Sequence, residues 1–247
     1  IIIMQVDYDR LSHKTVKGLE EDMMTRLAVV MHTFAGNTQI FINGRKIKAI
    51  DPTFSDPSKY LYKVDGRVPK SVNPVQTITL KNPVTGDTGE VRVTCNYLGA
   101  NFCPGSQGPN NSTELNSAIQ TRNNWAGFIM AREGRLLNSE TRILKRSWPS
   151  KPKKVPLTLG NNDKYTRICI DFDASLDDLF NVEFCKQRAM PQAAVWDALY
   201  NQTNLFDQIS KYRSEFLSDA KVREDIETSA PALDEDGARP SEIIADQ

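Results

Sequence analysis

The chain has 247 residues, 39% hydrophobic and 25% charged, a composition that suits a globular fold and excludes a chain too polar to collapse. Its 31 basic and 31 acidic side chains cancel, so no net field draws it to nucleic acid or a membrane surface. No apolar run approaches the roughly 20 residues of a membrane-spanning helix. The cysteines, Cys95, Cys103, Cys169 and Cys185, form no CxxC pair and find no histidine at zinc spacing, so they read as reduced core thiols of a cytoplasmic protein, with no metal site.

In chain order, Ile1 to Val6 is an apolar run closed by Asp7-Tyr8-Asp9-Arg10 and reads as a buried strand. A chain that opens inside such a strand without Met is expected to be a fragment or a processed form. Leu19, Met23, Leu27, Val30, Met31 and Phe34 then fall at helical spacing, with Glu20, Glu21 and Asp22 expected in the first turn and Gly36 as the stop. Gln39 to Ile47 is a hairpin signal, β-branched residues on both sides of Asn43-Gly44. Residues 52–75, rich in Pro, Ser, Asp and Lys, read as a linker or irregular crossing.

A second block opens with a strand at Thr77–Leu80, a turn over Asn82–Asp87, and a half-buried strand in which Val91, Val93 and Cys95 alternate with polar residues. A long loop is expected over Asn101–Thr113, and a hairpin where Trp125–Met130 and Leu136-Leu137 flank Glu133-Gly134. Tyr165–Phe172 reads as a further strand, Asp173–Phe180 as a short helix or turn, and Val182/Phe184 as an alternating strand that leads into Lys186. One long helix is expected from Pro191, carrying Val195, Leu199, Phe206, Ile209, Tyr212 and Phe216. From Asp219 onward nine acids stand against three bases, which predicts a disordered tail or connector over 221–247. Irregular alternation of strands and helices predicts an α+β fold with mostly antiparallel pairing.

No Gly-rich phosphate loop, GxSxG elbow, HExxH or EF-hand loop is present. His13 and His32 have no catalytic partner at a readable spacing, and His32 reads as a packed helix residue. Two features remain. The stretch from Thr141 to Asn162 contains Arg142, Lys145, Arg146, Lys151, Lys153 and Lys154 with no acid, and Trp148 lies among them. Such a loop would grip phosphates and stack on a base, or it is a solvated loop whose Trp packs on the sheet. The second feature is Lys186, either one more surface lysine or a point charge at a strand-to-loop corner that could be aimed at a terminal phosphate, with Arg188 close by as an auxiliary contact.

The order of these elements resembles a known family. Ile1–Leu11, the helix, the hairpin Ile40–Ile47 and Asp51-Pro52 resemble the end of the ATPase domain of the GHKL superfamily, which covers gyrase, MutL, histidine kinases and an ATP-dependent chaperone. The MORC-like branch and related bacterial proteins look closest. Ala126–Leu137 (AGFIMAREGRLL) is similar to the family's transducer hairpin GFYIYRNGRLI. Ile168–Arg188 (ICIDFDASLDDLFNVEFCKQR) is similar to its segment IEVDFPPELDELFGVDFTKSR. The resemblance spans roughly residues 1–200. It implies a Bergerat-type ATPase end over 1–72 and a ribosomal-protein-like transducer over 73–220, with Lys186 as the lysine that contacts the γ-phosphate. The helix with the catalytic Glu and Mg²⁺-binding Asn, and the residues that hold adenine, do not occur here. ATP and Mg²⁺ are therefore expected only in an intact protein, with this fragment binding neither alone. The implied partners are a missing N-terminal ATPase portion, a second copy in a homodimer and, as a further candidate, DNA, with no membrane. The alternative class is a non-catalytic nucleic-acid or protein-binding module that uses the basic 142–154 loop.

Overall fold

A computed structural model describes residues 15–36, 38–64, 68–99, 102, 125–156, 158–160 and 163–229. The strand expected at Ile1–Val6, nearly all of the Asn101–Thr113 loop and the tail beyond residue 229 lie outside them. The architecture is α+β, a five-stranded mixed sheet with a separate two-stranded hairpin and helices at the C-terminal end.

Helix α1 (Val16–Val30) starts where Thr15 turns extended and its hydroxyl accepts the Gly18 amide, an N-cap that satisfies one orphan donor. The cap moves the start upstream of the predicted one, so Glu20, Glu21 and Asp22 lie beyond the first turn. Glu20 is used differently. Its carboxylate accepts from Arg45 at 2.9 Å and Asn43 at 3.2 Å, which ties the hairpin to the helix. That hairpin, β1 (Phe41–Ile42) and β2 (Arg45–Lys46), turns on Asn43 and Gly44 at φ 48° and 77°. Two left-handed residues in succession are what a type I′ turn demands.

The main sheet has the order β3 (Gln76–Lys81), β4 (Thr88–Tyr97), β7 (Thr166–Phe172), β5 (Gly127–Arg132), β6 (Arg135–Glu140). Its pairings are antiparallel except β5–β7, which run parallel. Pairs Val91–Phe172, Val93–Ile170, Cys95–Ile168 and Phe128–Ile168 place these side chains on one face. That face is covered by α3 (Ala193–Gln202) and α4 (Leu205–Ser229) through ring contacts: Phe128 with Trp196 at 5.2 Å, Tyr97 with Tyr212 at 5.2 Å, Tyr165 with Phe216 at 5.3 Å.

One continuous helix was expected here, and there are two. Thr203 adopts φ −129°, ψ 166°, and its hydroxyl accepts the Leu205 amide and starts α4, while the Asn204 amide goes to Gln76 of β3. A local side-chain acceptor competes with the helical ladder and wins. At the other end, the helical backbone runs through Ser229, so 221–229 is helix where a disordered tail or connector was predicted. Its Lys, Arg and Glu residues are good helix formers, and no proline interrupts before Pro231.

The opposite face of the sheet carries Thr94, Asn96, Arg167 and Cys169, and it is covered by the supposed linker. Asp51 is buried, and its two oxygens accept from the Thr53 amide and hydroxyl and the Ser55 and Asp56 amides, at 2.6–3.1 Å. This cage holds Phe54 at φ 52°, almost fully buried against Phe102 and Tyr62, before the short helix α2 (Tyr60–Val64). Asn96 of β4 closes the contact: its amide donates to Thr53 O and Ser55 Oγ, and its oxygen accepts the Asn73 amide. The segment read as a linker is therefore a polar-lined cap on the sheet.

Asn96→Ala should leave Thr53 O and the partly buried Asn73 amide without their side-chain partner. A loss of about 2–4 kcal/mol is expected, read from urea unfolding. An unchanged midpoint would mean that the 51–56 segment does not depend on β4.

Candidate functional site

The sheet's central strand delivers the chain to a loop over 181–190. After β7 a 3₁₀ turn (Ala174–Leu176) buries Leu176, and Phe180 stacks on Phe172 with centroids 3.7 Å apart. The loop base is then fastened from several sides. The Met190 amide donates to Phe180 O at 2.6 Å, the Gln192 amide to Leu179 O at 2.9 Å, the Asn181 amide group to Met190 O at 2.8 Å, and the Ala189 amide to Asn138 Oδ1 at 2.8 Å.

Val182 and Phe184 were expected to alternate along a strand. The residues instead form a tight turn: the Glu183 amide donates to Arg188 O at 3.1 Å and the Lys186 amide to Glu183 O at 2.7 Å, with Lys186 itself at φ 51°. Closing so small a loop takes left-handed residues, and a strand would overshoot the contact with Asn138. Phe184, Cys185, Lys186 and Gln187 are all exposed at the tip, and Phe184 has 104% relative exposure. Among the described residues the Lys186 ammonium enters no hydrogen bond or ion pair. Glu183, the nearest acid in sequence, receives the Cys185 thiol at 3.6 Å. Arg188 is placed otherwise: its guanidinium pairs with Glu140 at the end of β6, 2.9 Å away. It is thus engaged as a staple of the loop base, whereas the auxiliary role expected of it needs an uncompensated cation.

The basic stretch splits in two. Trp148 is fully buried, 6.0 Å from Trp196 and 5.3 Å from Phe206, and its indole N–H donates to Asp197 of α3 at 2.7 Å. It is core, with no ring face left to stack a base. The acid that fixes it lies 49 residues downstream, beyond any local pattern. Lys151 turns inward, and its ammonium donates to the carbonyls of Pro152 and Val155. Lys154 lies over the Tyr200 ring, 5.5 Å from its centroid; the hydrogen bond with the Tyr200 hydroxyl raises its pKa, with Asp207 adding. Arg142, Lys145, Arg146 and Lys153 remain exposed.

His32, just past α1, donates through Nδ1 to Val29 O at 2.9 Å and turns Nε2 toward Asp51, 3.7 Å away. The Asp51 cage was not legible in the sequence, although Asp51-Pro52-Thr53 carries an Asx-turn signal that could have suggested it. Among the described residues no three His, Cys, Asp or Glu side chains gather to hold a metal ion, and no helix is long and apolar enough to cross a membrane. Burial pushes the Cys95 thiol up to about 12.

No model of a known protein family matches the sequence, and no curated protein matches it.

Two outcomes are expected. Trp148→Ala should destabilise the fold by about 3–5 kcal/mol, as for a large core aromatic, seen as a lowered thermal midpoint. In a Cys103→Ser background, a thiol reagent at pH 8 should label Cys185 in the native state and reach Cys95 only on unfolding. Because the Cys95 pKa is raised, its stabilising contribution is whole below the ordinary thiol value near 9 and is lost as pH climbs from there toward about 12. Native labelling of Cys95 as fast as Cys185 would contradict its place in the core.

Proposed function

We propose that this chain is the transducer part of a GHKL-type ATPase, and that Lys186 senses the γ-phosphate of ATP held by an upstream ATPase portion. The observation that supports this reading best is the presentation of Lys186: exposed, left-handed, and without an acid partner among the described residues, at the tip of a loop fastened at its base. A non-glycine residue in that backbone region costs of order 1 kcal/mol or more and persists where the surroundings over-determine it. The sequence resemblance assigns the same residue to the contact.

In this reading the loop supplies a cation and nothing else. An ammonium is a compact charge suited to a terminal phosphate, and it loses its partner when that phosphate leaves. Lys186 can then report ATP against ADP without acting as a base. The differential contact biases the orientation of the two portions, a hinge-type switch in a homodimeric, cytoplasmic protein. Nucleotide and Mg²⁺ would be held by the upstream portion, since the described residues contain neither a phosphate loop nor a cluster of Mg²⁺ ligands.

The exposed Arg142, Lys145, Arg146 and Lys153 keep a second reading open, a DNA-binding surface that grips phosphates without stacking on bases. Lys145/Arg146/Lys153→Ala should then weaken binding and reduce the salt slope by about one per cation removed. Unchanged binding would leave the loop a solvated surface.

The test of the main reading is Lys186→Ala in a protein that includes the upstream portion. Loss of one phosphate contact is worth about 2–4 kcal/mol, so hydrolysis should fall roughly a hundredfold with the thermal midpoint unchanged. The chain alone should show no turnover. Wild-type hydrolysis by the variant, or turnover by the isolated chain that a substitution within it abolishes, would overturn the proposal.

A further inference from the structure

Between the loop base and the start of the basic stretch lies a cavity of about 190 Å³. Its walls are apolar: Phe128 and Met130 from β5, Ile143, Trp196 from α3, and Met190-Pro191 after the loop. Phe128, Met130, Ile143 and Trp196 are buried in the folded chain, so the cavity is built from core residues rather than from a shallow surface dip. Close-packed interiors leave few voids larger than a water molecule. By scale, a dry cavity of about 150 Å³ lined by aliphatic and aromatic side chains takes up benzene.

Polar residues line it as well: Glu140, Arg142, Ser147 and Arg188. Arg188 and Glu140 neutralise each other in their 2.9 Å pair. Arg142 enters no side-chain hydrogen bond or ion pair among the described residues, while its backbone is held by a bridge to Thr158 and by the neighbouring Leu159 amide on Thr141 O at 2.7 Å. One uncompensated guanidinium, carried on a held backbone, therefore lines an apolar cavity of single-ring size. A phosphate dianion would leave charge unbalanced beside Glu140. A carboxylate matches both the single charge and the planar fork of arginine.

We infer that this cavity is a binding site for a small aromatic carboxylate, its ring against the walls formed by Phe128, Met130 and Trp196 and its carboxylate on Arg142. The site does not depend on the nucleotide-sensing role of Lys186. Mostly apolar lining with a few convergent polar groups is the usual form of a small-molecule site.

Met130 and Met190 both line the cavity, whereas Met23 and Met31 lie on or beside α1, so carbon-13 methyl labelling of methionine gives a local readout. Titrating the full chain with 4-ethylbenzoate should shift the Met130 and Met190 methyl signals with saturation, and leave those of Met23 and Met31 in place. The uncharged 4-ethylbenzyl alcohol should bind about tenfold more weakly. Arg142→Gln, a change at an exposed side chain, should reduce benzoate affinity to that of the alcohol and leave alcohol binding as it was. No shift at Met130 and Met190 up to the solubility limit of the probe overturns the inference. So does a variant that keeps its preference for the benzoate.

Discussion

Strand β7 is the element on which the rest of the structure rests. It lies between β4 and β5, and five of its seven residues are buried, so both of its faces must be covered. One face is apolar, with Ile168, Ile170 and Phe172 meeting the helix layer. The other carries Arg167, Cys169 and Asp171, and it needs a polar cover. Arg167 is fully buried, with its guanidinium donating to Trp125 O, and burial lowers its pKa to about 10. It therefore stays charged at neutral pH, and a charge in that position constrains what can pack over it. The Asp51 cage and the Asn96 contact supply a cover with its own hydrogen bonds satisfied. Arg213 of α4 forms a bidentate pair with the nearly buried Asp163, at 2.7 and 2.8 Å, and so clamps the long helix near the start of β7. That hydrogen bonding raises the Arg213 pKa.

The same arrangement sets up the loop over 181–190. Because β7 ends in the stack of Phe172 on Phe180, the chain leaves the sheet at a fixed point, and the contacts with Asn138 and Glu140 of β6 return it there. Rigidity at the base and exposure at the tip follow together. The loop presents Lys186 at a defined position without spending an acid on it, and Arg188 in its ion pair helps to form the wall of the cavity beside β6. Tip and cavity are thus two consequences of one stapled turn.

The basic stretch shows how composition can mislead. Six cations and a tryptophan without an acid between them fit either an aromatic phosphate-binding loop or a solvated loop whose Trp packs on the sheet, and the structure has the Trp packed. The folded chain separates them: Asp197, on a helix formed much later in the sequence, draws Trp148 into the core, Lys151 closes a turn, and Lys154 rests on Tyr200. A local window counts charges and aromatics. It has no access to a distant acid that decides which way a side chain faces.

Much of the fold was legible because its causes are local. The hairpin at Asn43-Gly44 follows from two left-handed residues between β-branched neighbours, and the strands at 76–81, 88–97, 127–132 and 166–172 follow from alternation or apolar runs. The α+β class follows from their order with the helices. Helix limits were less legible, since the start of α1 and the break at Thr203 rest on single hydroxyl groups that outcompete the ladder. The docking of residues 51–56 on the sheet, the core position of Trp148, the fastening of the Lys186 turn to β6 and the cavity at Arg142 were decided by tertiary structure. Each depends on groups tens of residues apart whose burial has meaning only once the sheet exists, and no periodicity in the chain records such a meeting.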